Sequence, residues 1–227
     1  MRGTPFSTWL VVPLAILPIV GLLGAGADAR WLGLGASSWI VAVATKIPVM
    51  AGLARIVAPA WIHGVLAGLA SALLELGIAL GALALASPAP SLPDILLFAV
   101  AAGSTEALIV LGVGAFVRSP PDVVATWTLA ATRSPVIRHQ VAVERSIAWL
   151  GHLGSRSLIA LAFVRHVPAL GFVAVATFAA TDGLAAYLQL RNVDWFAEGI
   201  LARYLAWAFC MVVIELVVLG LYLAIVA

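Results

Sequence analysis

The chain has 227 residues, 64% of them hydrophobic and 10% charged, with a mean hydropathy of +1.15. Water-soluble domains carry about a quarter charged residues, so this is no soluble globular chain. A net charge of +2 with no basic run excludes a nucleic-acid surface. Long Ala-, Leu-, Val- and Gly-rich runs, in place of short alternating segments, exclude a membrane β-barrel. What remains is an all-α, polytopic integral membrane bundle. A bilayer core needs about 20 apolar residues per helix, so seven spans use about 150 residues and leave only short connections.

In chain order, the apolar runs predict spans near 6–27, 36–57, 60–86, 94–117, 141–164, 167–190 and 200–226, within one transmembrane domain. The first resembles a signal peptide at Ala27-Asp28-Ala29, but its apolar region is long and only Arg2 precedes it, so an uncleaved span is expected. Pro13, Pro18 and Pro48 each remove a backbone donor inside a span and predict kinks or local unwinding. Trp31, Trp39, Trp61 and Trp195 fall near span ends, where interfacial aromatics sit. Between the fourth and fifth spans, Ser119-Pro120-Pro121-Asp122 reads as a capped helix start. Val123, Val124, Trp127 and Ala130 then follow at helical spacing until Pro135. This predicts a short amphipathic helix near 121–133 on the cytoplasmic surface, either a tether between spans or a gate or substrate-docking element. The lone Cys210 is read as a packing residue.

The basic residues set the expected topology. Arg2, Arg55, Arg118, Arg133, Arg138 and Arg191 fall on the side of the N-terminus and the even-numbered connections, with Arg203 just inside the last span. Only Arg30 and Arg165 fall opposite. By the positive-inside rule the N-terminus is cytoplasmic and the C-terminus outside, in the cell membrane.

Ionisable residues inside spans cost about 2.5–3.5 kcal/mol each on insertion scales, so each needs a partner or a role. They are Lys46, His63, Glu75, Glu106, Glu144, Arg145, His152, Arg156, Asp182 and Glu215. In the fifth span, Glu144 and His152 lie about 80° apart around the axis and about 12 Å apart along it. His152 and Arg156 share a face, and Arg145, about 100° from Glu144, aims at another helix. Gly103-Ser104-Thr105 before Glu106 permits close helix approach. Four carboxylates and a histidine on four helices then make one buried polar cluster, nearly balanced in charge once Arg145 and Arg156 join it. Lys46 and Glu215, each alone in its span, are read as paired or snorkelling. His152 with Glu75, Glu106 and Glu144 is read as a reaction or transport site. No His-Glu-x-x-His exists and His63, His139, His152 and His166 supply no ligand pair, so no metal and no cofactor is expected. Gly154-Ser155 shares a helix with His152, a poor geometry for a serine nucleophile.

The order of motifs resembles the YhfC family of proposed intramembrane peptidases, within the assembly that includes the CAAX prenyl endopeptidases and the PrsW proteases. Glu144-Arg145 followed by His152 and Ser155 is similar to the family's Glu-Arg…His…Ser span. Gly103-Ser104-Thr105-Glu106-Ala107 is similar to the end of its Gly-His-Gly-x-x-Glu-Ala motif, and Leu74-Glu75-Leu76-Gly77-Ile78 to its Glu-Glu-x-Gly-Arg motif. Leu74, Ile78 and Ala102 stand where the pattern has a glutamate, an arginine and a histidine. The resemblance implies a peptidase acting on a membrane protein or peptide in the bilayer. Glu75, His152, Glu106, Glu144 and Arg145 would be catalytic, with Asp182, Arg156 and Ser155 contacting substrate. Two other readings stand beside it: an inactive relative that binds a membrane partner or lipid, and a small proton-coupled carrier.

Overall fold

The computed structural model describes residues 6–86, 89–116, 120–197 and 199–226; Arg2, Arg118 and Ser119, used above for topology and capping, lie outside them. The described residues contain ten helices and no strand. The chain begins with α1 (Phe6–Trp9) and α2 (Val11–Gly24), which interrupt one span-length apolar segment, Ser7–Gly24. The break at Leu10 has a cause in Pro13, which has no N–H to offer the Trp9 carbonyl. α2 turns out at Gly26, whose φ of 91° suits glycine, with the Ala27 N–H returning to Leu22 O.

Six further helices are long and apolar enough to cross a membrane: α3 (Arg30–Leu53), α4 (Ala60–Leu85), α5 (Leu92–Phe116), α8 (Gln140–Val164), α9 (Pro168–Leu190) and α10 (Ile200–Val226). With the first segment they make seven among the described residues, so the chain is a multi-pass helical membrane protein. The largest shift from expectation is α3, which starts at Arg30 and not at 36. Its first turn is tied to α5: Asp94 accepts the Asp28 and Ser91 N–H groups, and Asp28 accepts the Arg30 N–H. Trp31 is consequently fully buried, edge-on to Phe98 at 6.5 Å, and Trp39 is buried on the same stripe of α3. The interfacial assignment therefore fails for both; Trp61 is exposed as expected.

The amphipathic helix appears as α6 (Pro121–Arg133). Pro135 ends it and also opens a second short helix, α7 (Pro135–Arg138), for which Ser134 accepts the Ile137 N–H. Ala131 and Ile137 pack with Leu201, Leu205, Ile147 and Tyr204, so α6 and α7 rest on the starts of α8 and α10.

Helices α3, α4, α9, α10, α8 and α5 pack each on the next in a closed ring, with α2 outside against α5 and α8. In a bilayer the apolar side chains gain nothing by leaving water, so close packing of small residues must hold the ring. A side chain on Gly68 of α4 would strike Ala179 O and the Gly183 backbone of α9. Gly64 meets Gly183 and Tyr187 in the same way, and Gly103 of α5 sits against Trp149 and His152 of α8. One half of the ring is filled solid by Trp31, Leu76, Leu83, Phe98, Leu158 and Leu170 with their neighbours. The other half, toward α6 and α7, is not.

Candidate functional site

That open half holds a cavity of about 460 Å³ lined by all six ring helices. Its polar lining is Lys46 of α3, Glu75 of α4, Glu106 of α5, Glu144, Arg145 and His152 of α8, Thr181 and Asp182 of α9, and Tyr204 and Glu215 of α10. Helix geometry explains the convergence. Close approach at Gly64 and Gly68 sets the α4 face carrying Ser71 and Glu75 against α9, and Gly103 lets α5 carry Glu106 onto α8.

The charges form two linked groups. Lys46 Nζ donates to Glu75 Oε1 at 3.0 Å and to Asp182 Oδ2 at 2.9 Å, and the Ser71 hydroxyl donates to the same Asp182 oxygen. Arg145 Nη1 donates to Glu106 Oε1 at 2.5 Å and its Nη2 to Glu144 Oε1 at 2.7 Å. His152 Nε2 lies 2.6 Å from Glu106 Oε2. Arg156 joins the groups: its Nε donates to His152 Nδ1 at 3.1 Å, its Nη1 to Ser38 at 3.1 Å, and its Nη2 stands 3.6 Å from Glu75 Oε2. Since His152 Nδ1 accepts from a guanidinium, the ring proton sits on Nε2 and points at Glu106. The 3.6 Å contact is an ion pair too long for a hydrogen bond, and Glu75 Oε2 has no other hydrogen-bond partner among the described residues.

Exposure follows depth. Counting the rise per residue from the helix ends nearest α6 places Glu144 about 6 Å in, Lys46 and Asp182 about 10–12 Å, Glu106 about 15 Å, His152 about 18 Å, and Glu75 and Arg156 about 22–24 Å. Side-chain exposure is 46% at Glu144, 26% and 32% at Lys46 and Asp182, 19% at Glu106, 4% and 6% at His152 and Glu75, and zero at Arg156. Arg145, shielded by its two carboxylate partners, is 12% exposed near the same end; the other charges lose exposure away from α6, and we read the cavity as a vestibule whose mouth lies toward α6. Its floor is the apolar half of the bundle. Such a space admits water or a polar ligand to carboxylates at mid-depth, where a charge is worth far more than in bulk solvent.

Six of the eight residues singled out from sequence line this vestibule: Glu75, Glu106, Glu144, Arg145, His152 and Asp182. Arg156 lies behind them, fully buried against Ser38, His152 and Glu75, which makes it a support for the site and takes it out of reach of a substrate. Ser155 is also fully buried and not part of the lining; its hydroxyl is spent on Gly151 O one turn back. Lys46 pairs, as read, but does so at the centre of the site. Glu215 accepts the Thr177 hydroxyl at 2.6 Å, and the absence of a side chain on Gly154 leaves room for its carboxyl. Tyr204 and the apolar α10 wall carried no signal in the sequence, because ordinary lipid-facing residues of a span look the same. Among the described residues no group of three or more His, Cys, Asp and Glu side chains is arranged to hold a metal ion.

Comparison with protein-family models, with curated proteins and with solved structures finds no match.

Proposed function

We propose that the vestibule is the active site of an intramembrane peptidase of the glutamate type, as the resemblance to the YhfC family implies, with the α6 face and the N-terminus cytoplasmic in the cell membrane. The observation that carries this reading is the convergence of Glu75, Glu106, Glu144 and His152 on one cavity. Glu75 fits the role of base: its Oε2 has no hydrogen bond among the described residues, as is also true of Glu215 Oε2, but Glu75 alone of the two stands beside Lys46 and Arg156. A water taking that bond gives its proton to Glu75 and adds to the substrate carbonyl carbon. The carbonyl oxygen becomes an oxyanion, to which the His152 Nε2–H can turn from Glu106 and beside which the Lys46 ammonium stands. Collapse breaks the C–N bond, and the Glu75 proton passes to the leaving amine. The departures from the family pattern are partly compensated: Ile78 replaces an arginine, yet Glu75 still faces two cations, Lys46 and Arg156, supplied by other helices.

N-terminal profiling of membranes from cells expressing the wild type, Glu75→Gln or His152→Ala tests this. New N-termini in the wild type alone are expected; identical profiles in all three refute hydrolysis. One observation favours a second reading. Ion pairs and hydrogen bonds run from Glu144 to Glu75 and stop at a packed apolar floor, the form of a carrier open to one side. Flux into proteoliposomes that follows a pH gradient and disappears in Glu106→Gln would establish that reading in place of the first.

A further inference from the structure

A second cavity, of about 230 Å³, lies at the opposite end of the bundle, where α5 begins and α8 and α10 end. Helices α5 and α10 both flank α8 there but make no extended contact with each other, so the surface of α8 between them is a groove. Its floor is Leu161 of α8 and its walls include Ile95 of α5 and Leu223 of α10. The rim carries Arg165 and Tyr222. Neither side chain has a hydrogen-bond or ion-pair partner among the described residues, and Arg165 is the one charged residue of the lining. Val226, half-exposed at the same end, leaves the groove open toward the bilayer.

We infer that this groove binds an anionic phospholipid of the leaflet opposite the vestibule mouth. The headgroup phosphate takes hydrogen bonds from the Arg165 guanidinium and the Tyr222 hydroxyl, while an acyl chain lies along Leu161 between α5 and α10. Three observations support it together. The groove sits at the level of the span ends, where headgroups lie. Its walls are apolar where a chain would run. Its single charge is a cation without a partner among the described residues, and a phosphate would supply the charge that balances it. Lipids at this site would wedge α5 and α10 onto α8 where all three meet the apolar floor of the vestibule.

The test is native mass spectrometry of the full chain purified in detergent with phosphatidylglycerol or phosphatidylcholine added. The wild type should retain one phosphatidylglycerol in preference to phosphatidylcholine, and an excess of inorganic phosphate should not displace it. Arg165→Gln should lower retention about five-fold, the contribution of one basic side chain near a membrane surface. Arg55→Gln, on the other face, should leave it unchanged. Equal retention by wild type and Arg165→Gln, or no preference between the two lipids, overturns the proposal. Should Arg165→Gln fail to fold, photoactivatable phosphatidylglycerol on the wild type decides: adducts on 161–165 and 222–226 support the site, and adducts confined elsewhere refute it.

Discussion

Arg156 is the most enclosed charge in the bundle, and its removal separates a network that holds itself together from one held by chance proximity. Its guanidinium faces Glu75 at 3.6 Å, His152 Nδ1 at 3.1 Å and Ser38 at 3.1 Å, with no exposure at all. At an effective dielectric of about 20 the attraction to Glu75 is about 4–5 kcal/mol, most of it offset by the cost of burying both ions. The pair therefore adds little net stability, but breaking it is expensive. Arg156→Met leaves Glu75 Oε2, His152 Nδ1 and the Ser38 hydroxyl against an apolar chain, which should cost about 3–5 kcal/mol. Glu75→Gln in the same molecule removes the charge that Arg156 faced and leaves Lys46 its pair with Asp182, so the double variant should recover at least about 1 kcal/mol of what the two single losses predict. Unfolding of the four proteins in mixed micelles gives the cycle directly. A loss below about 1 kcal/mol for Arg156→Met, the range of an exposed ion pair, would refute the burial argument. Strict additivity would refute the coupling. A further readout follows from the tautomer: without the Arg156 donor, the His152 ring proton is no longer fixed on Nε2, and the ¹⁵N shifts of its two nitrogens should move toward each other.

Gly68→Ala forces a methyl onto the Ala179 carbonyl and the Gly183 backbone, so it should destabilise by about 1–3 kcal/mol, whereas Gly77→Ala, with open space around it on the same helix, should be neutral or slightly stabilising in thermal unfolding. In a Cys210→Ser background, Ala148→Cys on the vestibule wall should react with a small charged thiol reagent while fully buried Leu158→Cys should not; equal labelling would refute a vestibule with a sealed floor. Asp94→Ala removes the acceptor of the Asp28 and Ser91 N–H groups and should cost about 1–3 kcal/mol, with the loss confined to the α2–α3 and α4–α5 ends in hydrogen exchange. His166 holds φ at 55° where α8 ends, so His166→Gly should raise stability by about 1 kcal/mol; no gain would mean that its side chain makes a compensating contact.

The class, the number of spans and six of the residues that line the cavity were legible in the chain before any tertiary contact was known. Those follow from short-range chemistry: twenty apolar residues in a row can only cross a bilayer as a helix, and a carboxylate inside such a run must find a partner. The fixed pitch of a helix was also enough to put His152 beside Arg156 and to send Arg145 to another helix, where it meets Glu106. The register between helices was not legible, because it is set by contacts such as Gly68 on Gly183, and a small residue reads the same whether it faces lipid or a neighbour. Trp31 and Trp39 were misplaced for that reason: their distance from a span end was visible, but the face of α3 that packs on α5 was not. Only the packed helices show that Lys46 bridges α4 and α9 at the centre of the site and that Ser155 and Arg156 stand behind it. Each of these depends on how far apart the six helices stand at a given depth, a distance that side-chain volume across the ring fixes and no single span contains.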